Sequence, residues 1–274
     1  MYPYMIMYGG WSIPAYPLIY GVAIACAGIA LLVMAFRERL DVCRVAHVFL
    51  FASLAIIVGG RMAYLLQHSD RFASEVVTVF DLSSPGQVLY GGLLLCIPTV
   101  ALVSRWLSLP VARMADLFAV AAPLGLVIGR WACFCRGCCY GKVTNLPWAI
   151  QYPKHVDVAG TLVGPPVFIS QVKQGVLLKT ADCTLSVHPA PVYASIVSLF
   201  VFCIMLWFWR SGRFQGRLVI IYPMLYALSR FALDFTREYK MAFWGFTISQ
   251  VVSILVFVAG LTIMLRTSAT AREV

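Results

Sequence analysis

Charged side chains are scarce in this chain. Asp, Glu, Lys and Arg make up 12% of its 274 residues, and only 11 positions are acidic. A typical soluble domain carries about 25%, so this chain has too little polar surface to cover a water-soluble globule. Together with a mean hydropathy of +0.86, that shortage points to a bundle of membrane-spanning helices. A basic stripe interleaved with aromatic residues is also missing. The net charge of +10 therefore does not describe a nucleic-acid face, and no nucleic-acid partner is expected. Internal repeats and low-complexity tracts are absent, which argues against a solenoid. The first residues show neither a basic n-region nor an A-x-A site, so no removable signal peptide is expected.

What the chain does have is long apolar runs. Seven of spanning length can be marked, at roughly 13–36, 45–66, 87–104, 114–134, 190–209, 218–236 and 246–265. The short segments at 37–44, 105–113, 210–217 and 266–274 hold Arg37, Arg39, Arg44, Arg105, Arg113, Arg210, Arg213, Arg217, Arg266 and Arg272. The positive-inside rule places these four on the cytoplasmic side, and the alternation of the gaps supports seven crossings. The expected fold is an all-α integral membrane protein of seven transmembrane helices. Helices 1–4 occupy residues 1–134, a small external head 135–189, and helices 5–7 with a cytoplasmic tail 190–274, the N-terminus lying outside. Pro147, Pro153, Pro165 and Pro166, with the alternating stretch "WAIQY", suggest a loop-rich head with some β-structure.

Ionisable groups inside spans are costly and mark functional sites. Arg61, Arg130 and Arg230 lie 17, 17 and 13 residues from the cytoplasmic arginines Arg44, Arg113 and Arg217. At about 1.5 Å per residue all three come to a depth of about 20–25 Å, in the outer half of a core about 30 Å thick. Tyr90 reaches the same level, counted back from Arg105. Arginine recognises phosphate through bidentate, charge-assisted hydrogen bonds, so a phospholipid headgroup is the simplest ligand at that depth. Tyr226, Arg230, Asp234 and Arg237 share one helix face, where Asp234 can hold the Arg230 fork. Gly-Gly pairs at 59–60 and 91–92 suit either close helix packing or ligand access.

Four of the nine cysteines fall in "GRWACFCRGCCYG" (129–141). On a continuing helix Cys135, Cys138 and Cys139 share a face. A structural zinc site ordinarily uses two separated pairs, and no second knuckle accompanies Cys135-x-x-Cys138, with only Cys183, His155 and His188 as outside candidates. Hence no metal and no cofactor is expected. A redox or nucleophilic thiol, made acidic by Arg130 and Arg136, remains open. So do a disulfide, for instance with Cys183, and plain packing. Cys133 and Cys138 are kept as catalytic candidates.

Several segments resemble the prolipoprotein diacylglyceryl transferase family nearly end to end. They are "AYPLIYG" with Tyr16, "GGRMAY" (59–64), "YGGLLL" (90–95), "GRWACFCRGCCYG", "HPAPVY" (188–193), "LYALSRFALDFTRE" (225–238) and "GFTISQVVSIL" (245–255). The resemblance implies a bacterial inner-membrane transferase that moves the diacylglyceryl group of phosphatidylglycerol onto a lipobox cysteine of a prolipoprotein, with glycerol phosphate leaving. It implies that Arg130 and Arg230 hold the phosphate, that Asp234 orients Arg230, and that Tyr16, Arg61, Gly91, Gly92, Gly141, His188 and Tyr226 contribute to substrate binding. The family pattern has His where Tyr90 stands, Asn at Cys133 and Glu at Cys138. Tyrosine, with an ordinary pKa of about 10, is a poorer base unless an arginine lowers that value. The alternatives are a paralogue running thiol or other lipid chemistry in the same cavity, and a phospholipid-binding membrane protein without catalysis.

Overall fold

A computed structural model describes residues 4–8, 11–67, 89–154, 164–237 and 245–270. His68, His155, Trp244 and Arg272, and most of the expected loops at 67–86 and 237–245, lie outside them. A two-stranded antiparallel ribbon comes first, β1 (Tyr4–Tyr8) paired with β2 (Trp11–Pro14), with Met7 opposite Ser12. Eight helices follow among the described residues. They are α1 (Ala15–Arg37), α2 (Val42–Gln67), α3 (Leu89–Trp106), α4 (Val111–Arg136), α5 (Pro166–Lys173), α6 (Ala190–Ser211), α7 (Leu218–Asp234) and α8 (Ile248–Thr270). Each of the seven apolar runs coincides with one of these helices. Five of them, α1, α2, α4, α6 and α8, are long and apolar enough to cross a membrane, and α3 is a shorter apolar helix. Their outward faces are apolar too: Phe36, Leu94, Phe200, Leu255 and Leu265 are all more than three-fifths exposed. Apolar side chains all round a helix suit lipid contact better than water.

The chain forms two compact units, residues 28–118 and residues 1–27 with 119–274. In the first, Asp41 caps α2 by accepting from the amides of Cys43 (3.0 Å) and Arg44 (3.2 Å). The buried stripe of α2 is Val45, Val48, Ala52, Ala55 and Gly59, spaced by three and four, and α2 packs along α3. At Gly59 and Gly91 the two backbones touch. A Cβ on Gly59 stands 2.5 Å from the Gly91 carbonyl oxygen, and one on Gly91 collides with Ala63. Of the two readings of the glycine pairs, close packing is the one this crossing shows.

In the second unit α7 packs against α6 and α8. The segment after α4 folds over a small core of Tyr152, Val167 and Val187. Among the described residues its expected β-structure amounts to isolated bridges, Val143 and Ile150 with Val187, and Pro153 with Cys183. Pro165-Pro166, read as loop punctuation, instead opens α5. Proline suits the first helical position, where its missing N–H has no intrahelical acceptor in any case.

Candidate functional site

The start of α8 builds one half of the site. Thr247-Ile248-Ser249-Gln250 is a capping box. The Thr247 amide donates to Gln250 Oε1 (2.9 Å), and the Gln250 amide donates to Thr247 Oγ1 (3.2 Å). Against that helix N-terminus lies Asp234, whose side chain is wholly buried. Its carboxylate accepts from Ser249 Oγ and from Thr247 Oγ1 (3.4 Å), at the end of a helix where negative charge is favoured. Arg230, one turn back on α7, places Nε 3.3 Å from Asp234 Oδ1 and 3.2 Å from Ser249 Oγ. The guanidinium is thus fixed from two helices, as the i, i+4 spacing suggested. Tyr226, a further turn back, lies within electrostatic reach of Arg130 on α4. The contacts thus bring Arg230 and Asp234 together with Ser249, and Tyr226 stands on the same helix, one turn before Arg230.

The end of α4 builds the other half. The helix does not continue through the cysteines. It stops at Arg136, and Gly137 adopts φ +70°. The Gly137 amide bonds Phe134 O (3.2 Å) and the Cys138 amide bonds Cys133 O (3.1 Å). This is a Schellman cap, in which the second residue beyond the cap folds back onto the helix's last full turn. The fold-back sets Cys138 over Cys133, with the Cys138 thiol 3.7 Å from the Cys133 carbonyl. Cys139 follows at φ +58°, a left-handed conformation uncommon for a residue with a Cβ. The Sγ atoms of Cys133, Cys138 and Cys139 all lie within 4.8 Å of one another. The expected grouping of Cys135 with Cys138 and Cys139 is therefore corrected. Cys135 packs on the apolar cluster of Ala15, Ile19 and Ala132. Cys183 hydrogen-bonds Gln151 Oε1 (3.7 Å), and all nine cysteines are free thiols.

Charge around the three thiols is one-sided. Hydrogen bonds with Cys133 and Cys138, then the positive fields of Arg237 and Arg130, pull the Cys139 thiol well below its ordinary pKa, although burial opposes this. Hydrogen bonds with Cys133 and Cys139, then burial, push Cys138 up. Tyr152, almost wholly buried, is pushed up by burial and then by the charges of Cys138, Cys135, Cys133 and Cys139.

The remaining expected residues fall into place around these halves. The ring of Tyr16 lies 4.9 Å beneath the Arg136 guanidinium and 4.9 Å from the ring of Tyr20. Gly141 is clamped between strands of backbone. Its amide donates to His188 O (3.0 Å), and the Lys142 amide donates to Thr236 O (2.8 Å). A Cβ at Gly141 meets Thr236 O at 2.5 Å, so packing alone accounts for glycine there. His188 places Nδ1 3.3 Å from the Tyr193 hydroxyl, which also accepts from Trp148 Nε1 (2.6 Å). In the other unit, Arg61 is buried with its guanidinium 5.6 Å over the Tyr64 ring. Tyr90 stands in the first turn of α3, 68% exposed, and Gly91 and Gly92 face α2 backbone. That unit also has a groove of about 490 Å³ lined by Asp41, Cys43, Arg44, His47, Phe51, Trp106 and Leu107, none of them an expected site residue.

Arg237 and Tyr152 were not marked from sequence as neighbours of the cysteines. The signal for Arg237 was present, because it continues the face of Tyr226, Arg230 and Asp234. The signal for the thiol cluster was Gly137, a helix terminator four residues after Cys133.

Known proteins resemble this chain over most of its length. A phosphatidylglycerol–prolipoprotein diacylglyceryl transferase of Finegoldia magna is 26% identical over 252 residues, covering 90% of this chain and 90% of the relative. The enzyme of the same name from Rhodospirillum rubrum is 28% identical over 274 residues, covering 95% and 90%. That of Clostridioides difficile is 26% identical over 246 residues, covering 88% and 87%. The match to the family as a whole runs from residue 3 to residue 266 and takes in both halves of the site. This chain belongs to the prolipoprotein diacylglyceryl transferase family.

Proposed function

We propose that the chain transfers the diacylglyceryl group of phosphatidylglycerol to the thiol of a lipobox cysteine in a prolipoprotein. The acceptor sulfur forms a bond to the glyceryl carbon, the carbon–oxygen bond to phosphate breaks with its electron pair going to that oxygen, and glycerol phosphate leaves. The thiol proton must be removed as the sulfur attacks. Negative charge grows on the leaving phosphate, so preorganised cations aimed at it lower the barrier. The observation that carries this reading is the Arg230 guanidinium, held by buried Asp234 and Ser249 at the α8 N-terminus. Arg130 and Arg230 take the phosphate, Asp234 positions Arg230, and Tyr16 and Tyr226 line the approach of the lipid. His188, on the same unit, is assigned to the wall of the substrate site.

The same reading places the chain in a bacterial inner membrane with seven crossings. Helix α7, at 17 residues, spans about 26 Å at the α-helical rise, enough for most of the hydrocarbon core. Residues 135–189 and the N-terminus lie outside, and the C-terminal tail lies in the cytoplasm, as the arginine-bearing loops direct.

The test uses the full-length protein in vesicles of labelled phosphatidylglycerol with a lipobox peptide. The expected result is a labelled thioether on the peptide cysteine. Folded protein that binds the lipid but forms no thioether overturns the transfer reading and leaves a lipid-binding protein.

A further inference from the structure

We propose that Cys133, Cys138 and Cys139 bind one zinc ion and leave its fourth position for the thiol of the acceptor peptide. This rests on the transfer reaction above. The first ground is geometric. Four-coordinate zinc with zinc–sulfur bonds of about 2.3 Å holds its thiolates about 3.8 Å apart, and the three sulfurs here already lie within 4.8 Å of one another. Small side-chain rotations close the gap. Sequence spacing had looked for two separated pairs, but the Schellman cap supplies a triad from one short segment.

Further observations point the same way. Cys139 holds a left-handed backbone, φ +58°, which glycine or asparagine adopts more readily. The conformation aims a thiol at the other two. The Tyr152 hydroxyl is buried, has no hydrogen-bond partner among the described residues, and sits in the field of all four cysteines of the segment, where it can donate to a metal-bound thiolate. The cluster also lies at the C-terminal, negative end of α4, which favours a cation. Cys133 is buried while Cys139 is exposed, so the triad is closed on one side and open on the other. Structural zinc sites are closed by four protein ligands, and three ligands with an open position is the arrangement of catalytic sites.

The chemistry fits the open position. The carboxylate at the phosphate site, Asp234, is already engaged by Arg230, Ser249 and Thr247, and no other carboxylate is identified beside the thiols among the described residues. Coordination to zinc deprotonates a thiol outright, so the acceptor loses its proton to water on binding. The zinc-bound sulfur then attacks the glyceryl carbon, and the electron pair of the breaking carbon–oxygen bond goes to phosphate. The thioether formed is a weak ligand and leaves the metal, whose oxidation state does not change. With three protein thiolates and the acceptor thiolate the zinc unit carries two net negative charges, which Arg130 and Arg237, the cations acting on Cys139, neutralise. A cysteine of the cluster acting as a covalent carrier fits less well. It would hold the lipid through a thioether bond that a second thiol cannot readily break.

The test is metal content and spectroscopy on reduced, full-length protein in detergent. Stripped protein given zinc alone is expected to retain one equivalent by mass spectrometry of the metal. Given cobalt(II) alone, it should show thiolate-to-metal charge-transfer bands. Cys133→Ser, Cys138→Ser and Cys139→Ser each lower retained metal at least tenfold, whereas Cys135→Ala keeps it. A lipobox peptide shifts the cobalt bands, and the same peptide with serine for cysteine does not. Retention of zinc below a tenth of an equivalent by folded, reduced wild-type protein overturns the site, as does a triple Cys→Ser variant that still retains it. Bands unmoved by the cysteine peptide overturn the acceptor role. The band shift does not require turnover, so it separates failure of this proposal from failure of the transfer reading.

Discussion

At the scale of single residues, the best-defined element of the site is Asp234. It has no exposed side-chain surface, and its side-chain partners among the described residues are Arg230, Ser249 and Thr247. Asp234→Asn keeps the shape and removes the charge that holds the Arg230 fork. Misplacing a positioned group by about an ångström can cost about a hundredfold in rate. The transfer rate is expected to fall by about that factor, while the KM for phosphatidylglycerol changes less. Arg230→Lys should not substitute, because an ammonium cannot hold both carboxylate and phosphate in a planar fork. Steady-state kinetics on the two variants checks both statements, and wild-type kcat in Asp234→Asn would remove Asp234 from the site. This pair was legible in the sequence, because an arginine and an aspartate four residues apart in an apolar helix have each other as first partners. Ser249 and Thr247 were not legible as partners. They depend on the angle at which α8 starts, and only the Thr-x-x-Gln capping box hinted at that start.

At the scale of elements, the decisive event is where α4 stops. Long apolar runs located seven of the helices, because a continuous apolar run of that length satisfies its own backbone as a helix whatever its neighbours are. The runs did not fix the helix ends. Treating 135–139 as helix grouped the wrong cysteines, since one glycine at positive φ turns the chain back and exchanges Cys135 for Cys133. Gly137→Ala tests this element. A Cβ there stands 2.8 Å from Pro165 Cβ and must adopt φ near +70°. The cost is about 2–3 kcal/mol from the left-handed conformation and the overpacking together. Thermal unfolding is expected to shift down, and the reactivity of Cys138 towards alkylating reagents should rise as the fold-back loosens. An unchanged melting temperature would mean that the cap is not under this constraint. The short helix α5 escaped sequence reading for a related reason, since the same Pro-Pro that ends a helix also serves to begin one.

At the scale of the whole molecule, the distribution of arginines predicts which parts face which side. Cys43, beside Arg44, and Cys183, in the segment after α4, are both exposed, and the proposed topology puts them on opposite sides of the membrane. A membrane-impermeant maleimide applied to spheroplasts is expected to modify Cys183 and to spare Cys43 until the membrane is permeabilised. Mass-spectrometric mapping reads both positions, and modification of Cys43 in intact spheroplasts would invert the topology. Composition alone carried the membrane assignment, because no other environment tolerates this much apolar surface on a helix bundle. The segment between α4 and α6 was the least legible region. Its core of Tyr152, Val167 and Val187 joins three stretches by contacts with no sequence period.

The clamp at Gly141 and Lys142 has a consequence for biosynthesis. These two residues are tied by backbone hydrogen bonds to His188 and Thr236, both of which the ribosome makes later. Until the end of α7 emerges, the turn carrying Cys133, Cys138 and Cys139 lacks those ties. The thiols are therefore translated well before the scaffold that encloses them. The nascent chain passes through an interval in which these thiols lack the backbone ties that later hold their turn.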